Sequence, residues 1–365
     1  MHSRQRFELT LQHLQPDRPP IDIGGTSLTG MRPVCQQRLR DLLGFSGKPI
    51  PANNAMDERL LRWAGTDFRS VGAIIDLPNP AIDALDDPEL DCWGIRRQRV
   101  DGESQITRYP LKGATLADLS AYPWPQPHLD ETQLLRWQAE AKALRQQDEF
   151  VVIAEHPVYG ILELGCWMCG YDDFLMRMLV DKDFVRAFFD KVFSIQMQII
   201  EQYYPALAPY IDLTTSGDDF GMQTGPLISP RTFQELVAPY FTERIQRTKE
   251  LGQCHYWHHS CGSVFALLDQ LIACGVELLN PIQTSAAHMD PQGLKDSFGK
   301  RLVFWGGVDV QQFLPRATPE QVRQRVQELV HILGRQGGYV IAPAHEMQAD
   351  IPPENIAAWV ESMRV

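Results

Sequence analysis

The stretch QCHYWHHSCGS, residues 253–263, sets two adjacent histidines and a cysteine between an aromatic run and a glycine. Alternate side chains of an extended chain point the same way, so His259 and Cys261 can aim an imidazole and a thiolate at one metal ion. The same H-x-C pattern also suits the polar end of a buried strand, and the pair by itself leaves both readings open. Carboxylates supply a second kind of chemistry. Asp218 and Asp219 in SGDDFG and Glu155 in AEH are the catalytic candidates, able to orient a substrate or deliver a proton to a leaving oxygen. Their structural alternative is a helix cap or a hydrogen-bonding partner of His259.

Such residues need elements that bring them together. Strand-like runs occur at 19–25, 71–77, 150–156, 210–216, 254–259, 276–282, 302–307 and 338–344. Helix-like segments separate them, among them the long run from Asp172 to Tyr204, and several open on Ser, Thr or Asp before an acidic first turn. Runs that are apolar on both faces and alternate with helices predict an α/β fold, a (β/α)8 TIM barrel. Residues 1–365 are expected to form one domain, with 78–125 as an insertion after the second strand, because prolines, acidic turns and a short β-like stretch break the alternation there.

Active groups of such a barrel sit where strands end and loops begin. The polar residues found there are Asp22, Asp76, Glu155, His156, Asp218, Asp219, His259, Cys261, Asn280, Asp309 and His345. Asp22, Tyr159, Trp257, Asn280 and Asp309 are the substrate-contacting candidates, and Trp305 is a further aromatic near a strand end. For the aromatic residues the alternative is a place in the core.

Composition removes other classes. With 44% apolar and 22% charged residues, the chain resembles an ordinary globular protein. A net charge of -12 opposes a nucleic-acid partner. The start MHSRQRFELTLQHL lacks a secretory apolar core and no apolar run is long enough to span a membrane, so a cytoplasmic location is expected. Seven cysteines, an odd number, favour free thiols or metal ligands over a disulfide framework. Cys166 and Cys169 form a C-x-x-C within an apolar, helix-like run, without the strand-turn entry of a redox motif. Gly306 and Gly307, and the glycines of GRQGG, lack the spacing of a nucleotide cradle.

Three segments, HHSCGSVFALLDQLIACGVELLNPIQ, LKDSFGKRLVFWGGVDVQQFLPRATPEQV and GGYVIAPAHEMQADIPPENIAAWVESM, resemble the uroporphyrinogen decarboxylase superfamily. HHSCG is similar to the H-x-C-G of its methylcobamide:coenzyme M methyltransferase branch, whose members are zinc (β/α)8 barrels. That branch completes its ligand set with a distant cysteine after the last strand; Pro343-Ala344-His345 stands at the comparable place here. The resemblance therefore implies zinc held by His259, Cys261 and His345, with one position open. It also implies a small methylated substrate and a corrinoid (cobalamin) carried by a partner protein; a homodimer is the assembly kept open. Decarboxylases of the superfamily carry an arginine-rich R-x-x-G-R after the first strand, whereas this chain reads DIGGTSLTGMRP, with Arg32 as its first arginine there. A porphyrinogen with several carboxylates is thus not the expected ligand. The runner-up is a decarboxylase or other lyase with Asp22 or Asp76 as the acid; a third reading is a metal-free binding barrel.

Overall fold

Residues 1–47, 55–100 and 103–364 are described by a computed structural model. The strands in chain order are β1 (Phe68–Val71), β2 (Arg96–Val100), β3 (Glu103–Arg108), β4 (Val151–Ala154), β5 (Leu213–Thr214), β6 (Gly221–Met222), β7 (Gly225–Pro226), β8 (His255–His259), β9 (Leu278–Ile282), β10 (Val303–Val308) and β11 (Tyr339–Pro343). Seven of them form one curled parallel sheet in the order β1-β4-β5-β8-β9-β10-β11. Both edges of that sheet bond to the segment 20–22. Asp22 N–H donates to Ile341 O at 3.0 Å, Ile341 N–H donates to Pro20 O at 3.0 Å, and Asp67 N–H, next to β1, donates to Ile21 O at 2.9 Å.

The two-residue alternation of a strand explains what fills the curl. Phe68, Val151, Ile153, Leu213, Trp257, Leu278, Val303, Trp305, Val340 and Ala342 form one buried cluster inside it. Their neighbours Val152, Ala154, Tyr256, Leu279, Phe304 and Ile341 join the larger core shared with the helices. The helix Ser3–Leu11 closes the N-terminal end by inserting Phe7 against Phe68 and Trp305, at ring distances of 5.3 and 6.2 Å. Its Arg6 donates to Asp67 at 2.7 Å, which ties the plug to the sheet.

Four readings of the sequence need correction or refinement. The run 71–77 is not the second strand; β1 spans Phe68–Val71 instead. Gly72 ends it, with φ +88° and the Tyr203 hydroxyl pressed against the place a Cβ would take. Polar Arg69 hid the strand, because its guanidinium is paired with Glu58 at 2.9 Å rather than exposed. The run 19–25 contributes a single parallel bridge, Ile21 to Ile341, rather than a regular strand. The segment from Asp172 to Tyr204 is two helices, Tyr171–Val180 and Lys182–Leu207, divided at Asp181, whose side chain caps the second. Within 78–125, β2 and β3 pair as an antiparallel hairpin flanked by the short helices Pro80–Asp83 and Leu116–Ala121; residues 101 and 102 lie outside the described residues. No helix among the described residues is long and apolar enough to cross a membrane.

Candidate metal centre and its pocket

His259 is the last residue of β8, and the parallel register places it directly beside Asn280 of β9. Its Nδ1 meets Asn280 Oδ1 at 2.6 Å, while Asn280 Nδ2 donates to Trp305 O at 3.3 Å. The carbonyl of Trp305 can only accept, so it orients the amide, and Oδ1 must then accept a proton from Nδ1. His259 Nε2 is left with its lone pair, facing Cys261 Sγ at 3.3 Å. His345, two residues beyond β11, brings its ring to 5.6 Å from that of His259. One ligand atom from each of His259, Cys261 and His345 lies within 4.8 Å of the others.

These residues fit a zinc ion by donor type and by spacing. Bonds of roughly 2.0–2.3 Å in a tetrahedral site imply ligand separations of roughly 3.3–3.8 Å, close to the Cys261–His259 distance. The environment also suits a cation. Burial, with Asp219 and Glu163 adding to it, pushes the Cys261 thiol well above its ordinary range, and burial pushes His345 down to about 4. A neutral imidazole is the ligating form, and a nearby cation reverses the penalty on the thiolate.

The loops hold this arrangement by close backbone approach. Cys261 N–H donates to Asp219 Oδ1 at 2.7 Å. Gly221 of the β6–β7 hairpin and Gly262 pack face to face, so that a Cβ on either would meet main-chain atoms of the other loop. Gln283 accepts from Gly262 N–H at 2.8 Å and donates to Gln223 at 3.3 Å, joining the hairpin to the loop after β9. Between these loops opens a cavity of about 230 Å³, with Cys261 and His345 on its wall and Met222, Gln223, Asp309 and Val310 around it.

The remaining candidates divide between this site, the interior and the surface. Asp219 is half-buried beside Cys261. Glu155 and Asp22 lie deeper: Glu155 accepts from Ser27 N–H at 2.9 Å, and Asp22 accepts from Gly25 N–H at 2.8 Å and Trp305 Nε1–H at 2.9 Å. Burial raises both acids, Asp22 to about 7. Asp218 is fully buried and accepts from the N–H groups of Leu162 and Glu163, at 3.2 and 2.9 Å. It thus caps the helix Ile161–Cys169 from outside, the structural alternative to a catalytic acid. Trp257 is fully buried against Trp305 inside the sheet, a packing residue rather than a pocket wall. Tyr159 is half-buried with its ring on Trp167, and its carbonyl receives the contacts from neighbouring helices. Asp309 borders the cavity, yet its carboxylate holds the turn by accepting from Gln311 and Gln312 N–H. Asp76 is exposed, and His156 is buried behind the sheet. Cys166 and Cys169 are buried free thiols in the helix Ile161–Cys169.

Sequence reasoning missed Glu163. Burial first, then Asp219 and Asp218, raises it well above the ordinary carboxylate range. Its signal was a single acid in the otherwise apolar run GILELGCWMCG. Two rim arginines were also not placed there by the sequence. Arg32 lies within charge range of His345, with its guanidinium on Glu346 at 2.8 Å; Arg97 comes from β2 and lies over the Trp167 ring, with Asp91 at 3.7 Å.

Against known proteins, a family model described as "Uroporphyrinogen decarboxylase (URO-D)" matches residues 105–365. A curated relative, the uroporphyrinogen decarboxylase of Psychromonas ingrahamii, is 32% identical over 142 residues; the match spans 38% of this chain and 38% of that relative. A solved structure, a methyltransferase from Methanosarcina mazei, superposes with a TM-score of 0.65 at 17% identity, covering 100% of this chain and 98% of that one. That superposition speaks for the fold alone.

Proposed function

We propose that this chain, which belongs to the uroporphyrinogen decarboxylase family, is a zinc-dependent methyltransferase moving a methyl group between a small methylated compound and a corrinoid on a partner protein. One observation carries the reading: His259, Cys261 and His345 bring their ligand atoms within 4.8 Å beside a cavity of about 230 Å³. On this reading the segment 20–22 serves as the eighth stave of a (β/α)8 barrel. Zinc held there supplies Lewis acidity, which activates a thiol or polarises a substrate oxygen. The chain's own residues do the rest. Asn280 holds the tautomer of His259, Asp219 anchors the backbone of Cys261, and the hairpin β6–β7 limits the size of what enters. Asp219 beside Cys261 and Asp309 on the cavity wall leave the bowl acidic while both arginines are paired, which favours a neutral or cationic substrate over an anion.

The second reading is a decarboxylase. The family description and the Psychromonas relative favour it, and Asp22, held near 7, is its candidate acid. The small cavity and the paired arginines weigh against a porphyrinogen with several carboxylates.

Metal analysis tests the proposal first: about one zinc per chain is expected, and sharply less after Cys261→Ser with the circular dichroism spectrum retained. With candidate methyl donors and a corrinoid protein, the visible spectrum should change between the cobalt(I) and methyl-cobalt(III) forms. Release of carbon dioxide from a porphyrinogen, with no change in the corrinoid spectrum, would reverse the order of the two readings.

A further inference from the structure

The hairpin β2–β3 lays an arginine against a pair of aromatic rings. Tyr159, in the loop after β4, and Trp167, on the helix Ile161–Cys169, stand at 80° with ring centres 5.1 Å apart, so that their planes form a corner. Arg97 of β2 lies at that corner. Its guanidinium carbon is 4.8 Å from the centre of a Trp167 ring, it is within charge range of Tyr159, and Asp91 is 3.7 Å away. The β2–β3 register shifts between Arg96 and Arg97, an irregularity of the kind that re-aims a side chain. Both rings and the arginine are half-buried.

The arginine is loosely held. Asp91, at 3.7 Å, is beyond hydrogen-bonding reach, and the guanidinium has no hydrogen-bond acceptor among the described residues. The corner nevertheless gathers more negative charge than one guanidinium answers, because Asp76 also lies within charge range of Asp91 and Tyr159. Aromatic faces are themselves negative, so rings and acids together have the chemistry of a cation site. Glu163 links that site to the metal centre: it is within charge range of Arg97 on one side and of Cys261 on the other.

We propose that Trp167 and Tyr159, backed by Asp91, form a cation-binding subsite that Arg97 occupies in the free protein, and that the head of a small methylated ammonium compound displaces Arg97 there. A quaternary or methylated ammonium suits such a corner better than the guanidinium does, since it needs no hydrogen-bond acceptor and its methyl groups pack on both rings. Arg97 can leave at low cost. It gives up no hydrogen bond, and its long stem lets the charged head swing into solvent. An anion is disfavoured, because it would meet Asp91, Asp76 and the ring faces together with the arginine. The choice of a methylated ligand rests on the methyltransferase reading, whereas the binding of a cation at this corner does not need the metal.

Tetramethylammonium chloride is the probe, titrated into the full chain with and without zinc and followed by ligand-observed NMR, with sodium chloride holding the ionic strength. Saturable binding is expected in both forms, so a failure of the metal reading leaves this test intact and a failure here leaves that reading standing. Because Arg97 competes for the corner, Arg97→Ala should tighten the Kd by about two- to tenfold. That gain should disappear when Trp167→Leu is added, since charge removal alone does not need the ring. An unchanged or weaker Kd in Arg97→Ala overturns the proposal, as does a gain that survives Trp167→Leu. Saturable binding of acetate that is lost in Arg97→Ala would make the arginine an anion hook and also overturns it. If the double variant does not fold, Overhauser contacts between aromatic protons and the bound methyl groups decide in the wild type, and their absence sinks the proposal.

Discussion

The nitrogen that His259 turns toward Cys261 is chosen by a neighbour on the next strand. Asn280 is held by the carbonyl of Trp305 and so accepts from Nδ1. Asn280→Leu should keep the fold but weaken zinc binding by about 10- to 100-fold in a chelator competition, as loss of a ligand-orienting partner does. Adjacent aspartates should behave differently. Asp218 caps a helix, so Asp218→Ala is expected to cost about 1–2 kcal/mol in chemical unfolding. Asp219→Asn leaves an oxygen able to accept from Cys261 N–H, so turnover should fall far more than stability. Equal losses of both would return Asp219 to a purely structural role. Of this chemistry, His259 and Cys261 were legible because an i, i+2 pair at a strand end depends on local geometry alone. The separate places of Asp218 and Asp219 were not legible, since only the helix from Gly160 onward shows which carboxylate meets backbone N–H groups.

Between elements, Glu277 is the fastener of β8 to its surroundings. It accepts from Tyr256 N–H at 2.9 Å, meets His255 Nδ1 at 3.1 Å and pairs with Lys249 at 2.9 Å. Burial alone would raise its pKa, but these three partners outweigh it and bring the group down to about 2. A carboxylate lowered on folding stabilises the protein above its unfolded pKa and loses that contribution as the folded group protonates. Wild type should therefore melt above Glu277→Gln at neutral pH, with the gap closing as pH falls from about 4.5 to about 2. A gap independent of pH would assign the effect to packing. At the same end of the sheet, Phe7 fills the interior against Phe68 and Trp305, and Phe7→Ala should cost about 3–5 kcal/mol in unfolding free energy. The strands after residue 250 were legible because burial on both faces demands continuous apolar runs. The strand Phe68–Val71 was not, because Arg69 is neutralised by Glu58, a residue outside the strand.

At the scale of the whole molecule, the curl of one parallel sheet carries His259, Asn280 and His345 toward a common end, and the loops add Cys261 and the hairpin β6–β7. The cavity left there is about 230 Å³, and the rim arginines are paired with Glu346 and Asp91. Uroporphyrinogen is therefore expected neither to bind in equilibrium titration nor to lose carbon dioxide, while a small neutral or cationic methylated compound binds to the zinc-loaded chain. Binding of the porphyrinogen at micromolar concentration would show that the bowl opens wider than this cavity. By itself the sequence determined the alternation of strands with helices, the side-by-side placing of the H-x-C pair and the family resemblance, because periodicity and short-range spacing act within a few residues. Only the tertiary structure decided that Asp218 is a cap, that Trp257 is core, that Glu163 reaches the site, and that two arginines stand at the rim already engaged. Those outcomes depend on residues distant in the chain, and burial and charge pairing have no value until folding brings the partners within reach.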